Sequence, residues 1–269
     1  MDSRISVIVT TYNRPQALEQ VLAGLARQTH PSDEVIVADD GSDEKTTRLI
    51  ADLAGRLPYS LVHVWQPDNG FRAARIRTAA IRRSTGTYLV FLDGDCIPGR
   101  RFVADHLRLA RAGCFFQGKR VLVARSIADS FGWPQANDAG YLLKALLTGG
   151  LGNAHHLIRL PWFPALFSPG LSGTRSCNLG VARADLFAVN GFNEAFEGWG
   201  REDSELVARL FKLGLKRRTH PFMAVCFHLW HRENSRRRLA ENDAMLTKAI
   251  TCDDYYTPQG LVQGSSGQG

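Results

Sequence analysis

Two carboxylates flank a glycine at Asp93-Gly94-Asp95, where the apolar run Thr87-Tyr88-Leu89-Val90-Phe91-Leu92 ends. Carboxylates at that spacing can share a hard divalent cation that also grips a phosphate. Asp-Gly-Asp is equally ordinary turn chemistry, and alone it would be read as a turn. Four more polar clusters punctuate the chain: Thr11-Tyr12-Asn13, Asp39-Asp40, the segment Gly198 to Asp203 with its Glu202-Asp203 pair, and His228 with His231. Acids can act as general bases and imidazoles as metal ligands. Each also has a plain structural reading, the acids as helix caps and the histidines as satisfied side chains after a strand.

Such groups work together only if the elements before them end at one edge. The run ending at Asp93 is apolar at every position, as in a strand buried on both faces of a parallel sheet. Residues 5–10 read as a first strand. Pro15 suits the first turn of a helix whose apolar stripe is Ala17, Leu18, Val21, Leu22 and Leu25. Residues 34–39 form a second strand, 44–56 a helix, 61–65 a third strand and 71–84 a helix carrying Arg72, Arg75, Arg77, Arg82 and Arg83. This alternation implies right-handed βαβ units and an α/β fold with a mainly parallel central sheet flanked by helices. Ligands of such sheets bind beyond the carboxyl ends of the strands, where these clusters fall.

The pattern changes after Arg125. Residues 126–159 read as partly helical, and the prolines of 160–167 exclude a simple helix there. That apolar segment is either core filling or a lid or surface for an apolar acceptor. Further on, 177–182 is a strand, 183–189 a short helix, 202–213 a helix stopped by Gly214, and 224–228 a last strand. Arg236, Arg237 and Arg238 are expected in a basic helix, and 257–269 in a disordered tail. Within 202–213, Asp203 shares its face with Leu206, Val207, Leu210 and Phe211, whereas Glu202 has the mixed flank Glu205, Leu206, Arg209 and Leu210. An inward acid needs a reason, since unpaired buried charge is costly. That favours Asp203 as a proton acceptor.

Taken together, Val7-Ile8-Val9-Thr10-Thr11-Tyr12-Asn13-Arg14, Val37-Ala38-Asp39-Asp40-Gly41-Ser42, Phe91-Leu92-Asp93-Gly94-Asp95, Arg175-Ser176-Cys177-Asn178 and Gly198-Trp199-Gly200-Arg201-Glu202-Asp203 resemble family 2 glycosyltransferases of the GT-A fold. The Trp-Gly-x-Glu-Asp ending is similar to the branch containing chondroitin polymerase, β1,4-galactosyltransferase and polypeptide N-acetylgalactosaminyltransferase catalytic domains. The resemblance implies a metal-dependent, inverting enzyme that moves a sugar from a UDP-sugar to a hydroxyl of a saccharide or lipid-linked acceptor. It implies Asp203 as the base with Glu202 beside it. Thr11, Tyr12, Asp40, Arg77 and Asp93 would bind the nucleotide sugar. Asp95 would ligate Mn²⁺ or Mg²⁺ with a histidine, His231 first and His228 second. Trp199, Gly200 and Asn178 would meet the acceptor, although Trp199 is equally readable as a packed hinge anchor. One catalytic domain is expected over 1–256, with a nucleotide-sugar half to about 125 and an acceptor half over 126–256. The family's Arg-Asn-x-Gly stretch reads Arg77-Thr78-Ala79-Ala80 here, which puts a donor contact by Thr78 in doubt.

Composition narrows the field of partners. With 44% hydrophobic and 22% charged residues the chain is globular, and a net charge of +7 calls for an anionic partner such as a nucleotide or an anionic membrane surface. The mixed aromatic and basic faces of nucleic-acid binders are missing. Five widely spaced cysteines without a CxxC pair, no span-length apolar run and no signal-peptide core point to a cytoplasmic protein, with peripheral membrane contact as an option. The non-enzymatic alternative is an inactive nucleotide-sugar- or carbohydrate-binding module on the same fold.

Overall fold

The first half of the chain winds four parallel strands whose apolar side chains alternate between two cores. A computed structural model describes residues 4–232 and 235–263. Strand β1 (Ile5–Thr11) leads to α1 (Pro15–Leu25), β2 (Glu34–Asp39), α2 (Glu44–Leu53), β3 (Ser60–Trp65), α3 (Ala73–Arg83) and β4 (Tyr88–Asp93). Val7, Val9, Val90 and Leu92 enter the core shared with α1, while Ile8, Leu89 and Phe91 enter the core shared with α3. That is the two-residue period of a strand covered on both faces.

Elements with weaker sequence signals follow: β5 (Cys96–Pro98), α4 (Phe102–Leu109), β6 (Cys114–Gln117), β7 (Lys119–Val123), α5 (Arg125–Ala128), α6 (Trp133–Ala136), α7 (Ala139–Leu147), β8 (Leu151–Gly152) and β9 (Leu166–Phe167). The chain then forms β10 (Asn178–Ala182), α8 (Arg183–Ala188), α9 (Glu202–Lys212), β11 (Lys216–Thr219), β12 (Val225–Leu229) and α10 (Leu239–Thr251). The main sheet has the order β3-β2-β1-β4-β10-β6-β11-β9, and a second sheet has the order β5-β12-β7-β8. Strand β10 lies antiparallel between β4 and β6. The second sheet, invisible in the alternation of the first half, packs its Val121, Val123 and Phe227 into the α1 side of the core.

The connection from β1 runs outward to β2 and β3, and the chain then returns to place β4 on the other side of β1. That reversal opens a crevice between the carboxyl ends of β1 and β4, the usual ligand position of an open α/β sheet. Thr10 and Asp93 face each other there in register. Gly94 closes the same spot: a Cβ on it would lie 3.0 Å from the Thr10 carbonyl and from Thr11 Cβ, so the turn needs a glycine. Asp39 and Asp40 do not cap α2, because Asp43 makes that cap by accepting from the Lys45 amide.

Three expectations are corrected. Arg236–Arg238 precede α10 rather than sit in it, with Arg238 at its N-cap. Arg72, expected within the helix over 71–84, stands at the N-cap of α3, where it is buried and donates to the Pro67 carbonyl. Residues 257–263 are docked, not disordered: Asn190 bonds Thr257 and Val262 through its amide, and Arg82 donates to the carbonyls of Gly260 and Leu261. Composition missed this because one apolar side chain, Leu261, finds a place in the α3 core. Residues 264–269 lie outside the described residues. Among the described residues no helix is long and apolar enough to cross a membrane.

Helix α9 carries a buried ion pair, Glu205 with Arg209, each side chain 3% exposed. Arg209 also donates to the carbonyls of Val189 and Gly191. Removing one partner of such a pair strands the other charge, so Glu205→Ala is expected to lower unfolding free energy by about 3–5 kcal/mol. Denaturant titration checks this; a loss under about 1 kcal/mol would show that Arg209 finds other partners.

Candidate active site

Arg77 reaches from α3 into the crevice and gathers the clusters that the sequence scatters. Its Nε donates to Thr10 Oγ1 at 3.1 Å and its Nη2 to Asp93 at 3.2 Å, while Nη1 meets Glu202 at 3.2 Å and Asp203 at 3.4 Å. The side chain is 5% exposed. Burial opposes its charge, but Asp203, Asp93 and Glu202 outweigh that and raise its pKa. Three carboxylates thus share one guanidinium. Burial raises the Asp93 pKa, with Arg77 pulling it back.

Glu202 and Asp203 divide differently from the helical-face argument. Glu202 is the buried member, its side chain 9% exposed against 21% for Asp203. The flank that looked mixed is covered, because Glu205 and Arg209 are themselves paired inside the fold. Glu202 Oε2 has no hydrogen-bond partner among the described residues. Burial, then Asp203, push the Glu202 pKa up to about 7. Asp203 instead stands at the mouth, where its Oδ2 accepts from the Ser176 amide at 2.9 Å. Arg201 before the pair is left-handed at φ +79°. That conformation is strained for a non-glycine residue, and such strain concentrates at functional sites.

Asp95 faces two niches. Its Oδ2 accepts from Arg14 at 2.6 Å and lies 3.5 Å from His231 Nε2, while Oδ1 lies 3.8 Å from His228 Nε2. Both candidate histidines therefore converge on Asp95, where the sequence reading expected one of them to be structural. His231 Nδ1 is bonded to the Arg232 carbonyl at 2.8 Å, which leaves Nε2 with a lone pair toward Asp95. Burial, then Arg120, lower the His228 pKa to about 4, so this ring is neutral at pH 7. A carboxylate flanked by two imidazoles suits a cation that takes mixed oxygen and nitrogen donors, such as Mn²⁺, better than Mg²⁺.

A cavity of about 260 Å³ opens beside these groups, lined in part by Tyr12, Asp40, Asp68, Phe71, Trp199 and Arg238. Asp40 accepts from Gln66 at 2.5 Å and from the Arg72 amide at 2.8 Å, and burial raises its pKa. Asp39 is wholly buried and spent on the Ser42 amide and His63. Tyr12 donates to Asp68 at 2.8 Å. Trp199 is 37% exposed and lines this same cavity, with the Arg236 guanidinium 5.2 Å from its ring centre. The glycines beside it have positive φ, and the Gly200 carbonyl is held by Asn242.

Three residues considered for the site are buried. Asn178 is 1% exposed; its oxygen faces His106, and its amide donates to the carbonyls of Lys119 and Ala224. An acceptor role for Asn178 is corrected to a structural one, a tie between the two sheets. Thr11 is 5% exposed and takes part through its carbonyl, which accepts from the Asp40 amide. Thr78, already doubted, is buried and donates to the Phe192 carbonyl. The sequence reading gave no role to Arg14, Gln66 or Ser176. Only Arg14 had a local signal, its place directly after Thr-Tyr-Asn.

The acids at the ends of β2 and β4 and the acid pair that starts α9 gather at the switch point of the sheet, where open α/β sheets bind ligands. Comparison with known proteins gives the family. Residues 6–135 match the model "Glycosyl transferase family 2" and residues 162–232 match "N-terminal domain of galactosyltransferase". The chain belongs to the family 2 glycosyltransferases. It is 30% identical over 268 residues to validoxylamine A glucosyltransferase of Streptomyces hygroscopicus subsp. limoneus, covering 93% of this chain and 56% of that protein. It is 30% identical over 226 residues to the hyaluronan synthase of Pasteurella multocida, covering 78% of this chain and 23% of that one. The chain thus spans little more than half of the first of these relatives. Among solved structures, S. aureus TarS 1–349 in complex with UDP-GlcNAc matches with a TM-score of 0.65 at 18% identity, over 92% of this chain and 66% of that one. A Pyrobaculum calidifontis mannosyltransferase in complex with GDP-Man and Mn²⁺ matches with a TM-score of 0.61 at 22% identity, over 94% and 65%.

The raised Glu202 pKa has a sign that can be tested. The folded value, about 7, lies above the ordinary 4.5, so the stability tied to protonated Glu202 is full below pH 4.5 and is lost as pH rises through 7. Histidines held neutral act in the opposite direction, so the variant must be compared with wild type. The unfolding free energy of Glu202→Gln minus that of wild type is expected to grow from pH 5 to pH 8. A difference that stays flat over this range would show that Glu202 is ionised throughout.

Proposed function

We propose that this chain transfers a sugar, with inversion, from a UDP-sugar to a hydroxyl of a saccharide or lipid-linked acceptor, with a divalent cation bound. The observation that carries the reading is Asp203. It is held from two sides, by the Ser176 amide and Arg77, at the open end of a crevice whose other wall bears Asp95 and the two histidines. A carboxylate positioned but not enclosed can take the proton of an acceptor hydroxyl as its oxygen attacks the anomeric carbon. A single displacement of this kind inverts the anomeric centre, and the departing diphosphate needs charge stabilisation rather than a general acid. Asp95, His228 and His231 would hold the cation, which when bound stabilises the diphosphate leaving group.

Asp40 supports a uridine nucleotide. Each of its oxygens accepts one bond and keeps a lone-pair site, so Asp40 can take the ring N–H of uracil. Tyr12 and Trp199 in the same cavity offer faces for the base or the sugar, so Trp199 serves the donor side as well as the acceptor. The named relatives and the two nucleotide-sugar complexes are consistent with this donor class and with a divalent cation. Between Asp138 and Asp185 the sequence has no acidic residue. Leu147, Trp162 and Phe167 are exposed within that stretch. An acid-free apolar face fits a lipid-linked acceptor, or peripheral contact with an anionic membrane at the cytoplasmic side. An inactive binding module is disfavoured, because it would have no use for a base held by two donors.

Asp203→Asn keeps the side-chain size and one of the two acceptor positions, and it removes the negative charge. It is expected to lower kcat by about 10²–10⁴ while UDP affinity in Mn²⁺ stays within about threefold of wild type. Steady-state UDP release and calorimetry check the two halves; an Asp203→Asn variant with wild-type kcat would remove the assignment. Chelation should abolish turnover, and Mn²⁺ should restore it better than Mg²⁺. Full turnover in excess chelator would exclude the cation.

A further inference from the structure

Asp95 is followed by Cys96, and the inner niche of Asp95 has a donor set unlike the outer one. Cys96 Sγ lies 3.7 Å from Asp95 Oδ1, and His228 Nε2 lies 3.8 Å from the same oxygen. The three ligand atoms all fall within 4.8 Å of one another. Zinc bonds of roughly 2.0–2.3 Å to oxygen, nitrogen and sulfur give tetrahedral ligand–ligand edges of about 3.3–3.6 Å. The two edges that meet at Asp95 Oδ1, 3.7 and 3.8 Å, exceed these by a few tenths of an ångström, within reach of small side-chain rotations. Cys96 Sγ is also within 4.8 Å of Cys177 Sγ and an Asp93 oxygen. Arg120 sits 3.9 Å from Cys177 Sγ, a cation beside the thiols.

We propose that Asp95, Cys96 and His228 form a site for a thiophilic divalent cation, of the Zn²⁺ or Cd²⁺ kind, distinct in donors from the outer Asp95–His231 side. Binding breaks the Cys96 S–H bond, releases its proton to solvent and forms a metal–sulfur bond, with no change of oxidation state. The way in is the Asp95 side, since Asp95 and His228 side chains are 11% and 17% exposed while Cys96 is fully buried. A soft cation there takes Asp95 Oδ1 and a histidine away from the outer position. Its consequence for turnover rests on the reading of Asp95 given above: micromolar Zn²⁺ or Cd²⁺ inhibits, and chelator followed by Mn²⁺ restores activity.

The test titrates the reduced chain with Cd²⁺ alone, without any sugar donor. Wild type is expected to bind one equivalent with an ultraviolet thiolate-to-metal band. Cys96→Ser should remove the band and weaken binding at least about tenfold, since a hydroxyl is a far poorer ligand for a soft cation. Cys252→Ser, which removes the exposed thiol, should change neither. If Cys96→Ser does not fold, His228→Gln decides, with the band kept and affinity lowered about tenfold. Absence of the band in wild type, its loss in Cys252→Ser, its survival in Cys96→Ser, or unchanged affinity in His228→Gln overturns the proposal. An enzyme that turns over but binds no Cd²⁺ loses this inference alone, and an inactive chain that binds it loses only the functional reading.

Discussion

A single guanidinium holds the site together. Arg77 is nearly inaccessible, and a buried cation is tolerable only when its donors are satisfied and its charge is answered. Thr10, Asp93, Glu202 and Asp203 answer it, from the ends of two strands and the start of one helix. The dependence runs both ways. Without Arg77, three carboxylates would crowd one desolvated crevice. The positions of these acids therefore follow from one side chain on α3.

That arrangement leaves the acids with unequal tasks. Glu202, the deeper one, is kept close to neutral by burial and by its neighbour. Asp203 is less enclosed and is oriented by a backbone amide as well as by Arg77. Asp95 stands apart from this cluster, bonded instead to Arg14 on the loop after β1. Arg14 therefore holds the very oxygen that faces His231, and a cation entering on that side must displace it. The loop after β1 is thus tied to the state of the carboxylate without touching the base.

The two cores explain why one side of the site is a sheet edge while the other is built from loops. Both faces of β1, β2 and β4 are covered, so Thr10, Asp40 and Asp93 extend from a fixed frame. The opposite wall is built from loops, at residues 198–201 with three consecutive-range positive φ values, and from residues 235–238 before α10. A backbone hydrogen bond from Gly198 to the Phe71 carbonyl and one from the Asn242 side-chain amide to the Gly200 carbonyl fasten that wall in place. Loops carried on a fixed scaffold are where binding groups are most readily varied.

The sequence by itself determined the strands that end in chemistry. Alternating apolar runs of the right length fix β1, β2 and β4, and acids at their ends fall at one edge because parallel strands share a direction. The five motifs likewise sufficed for the family. What tertiary structure decided was which of those acids is spent. Asp39 and Asp40 look alike in sequence, yet one is consumed by Ser42 and His63 and the other lines the cavity. Asn178 sits in a motif but serves as a tie between sheets. Glu202 and Asp203 exchange the faces that helical spacing assigned, because spacing describes one helix and burial depends on all of its neighbours. The second sheet and the docked residues 257–263 rest on contacts between segments far apart in the chain, for which local periodicity carries no signal.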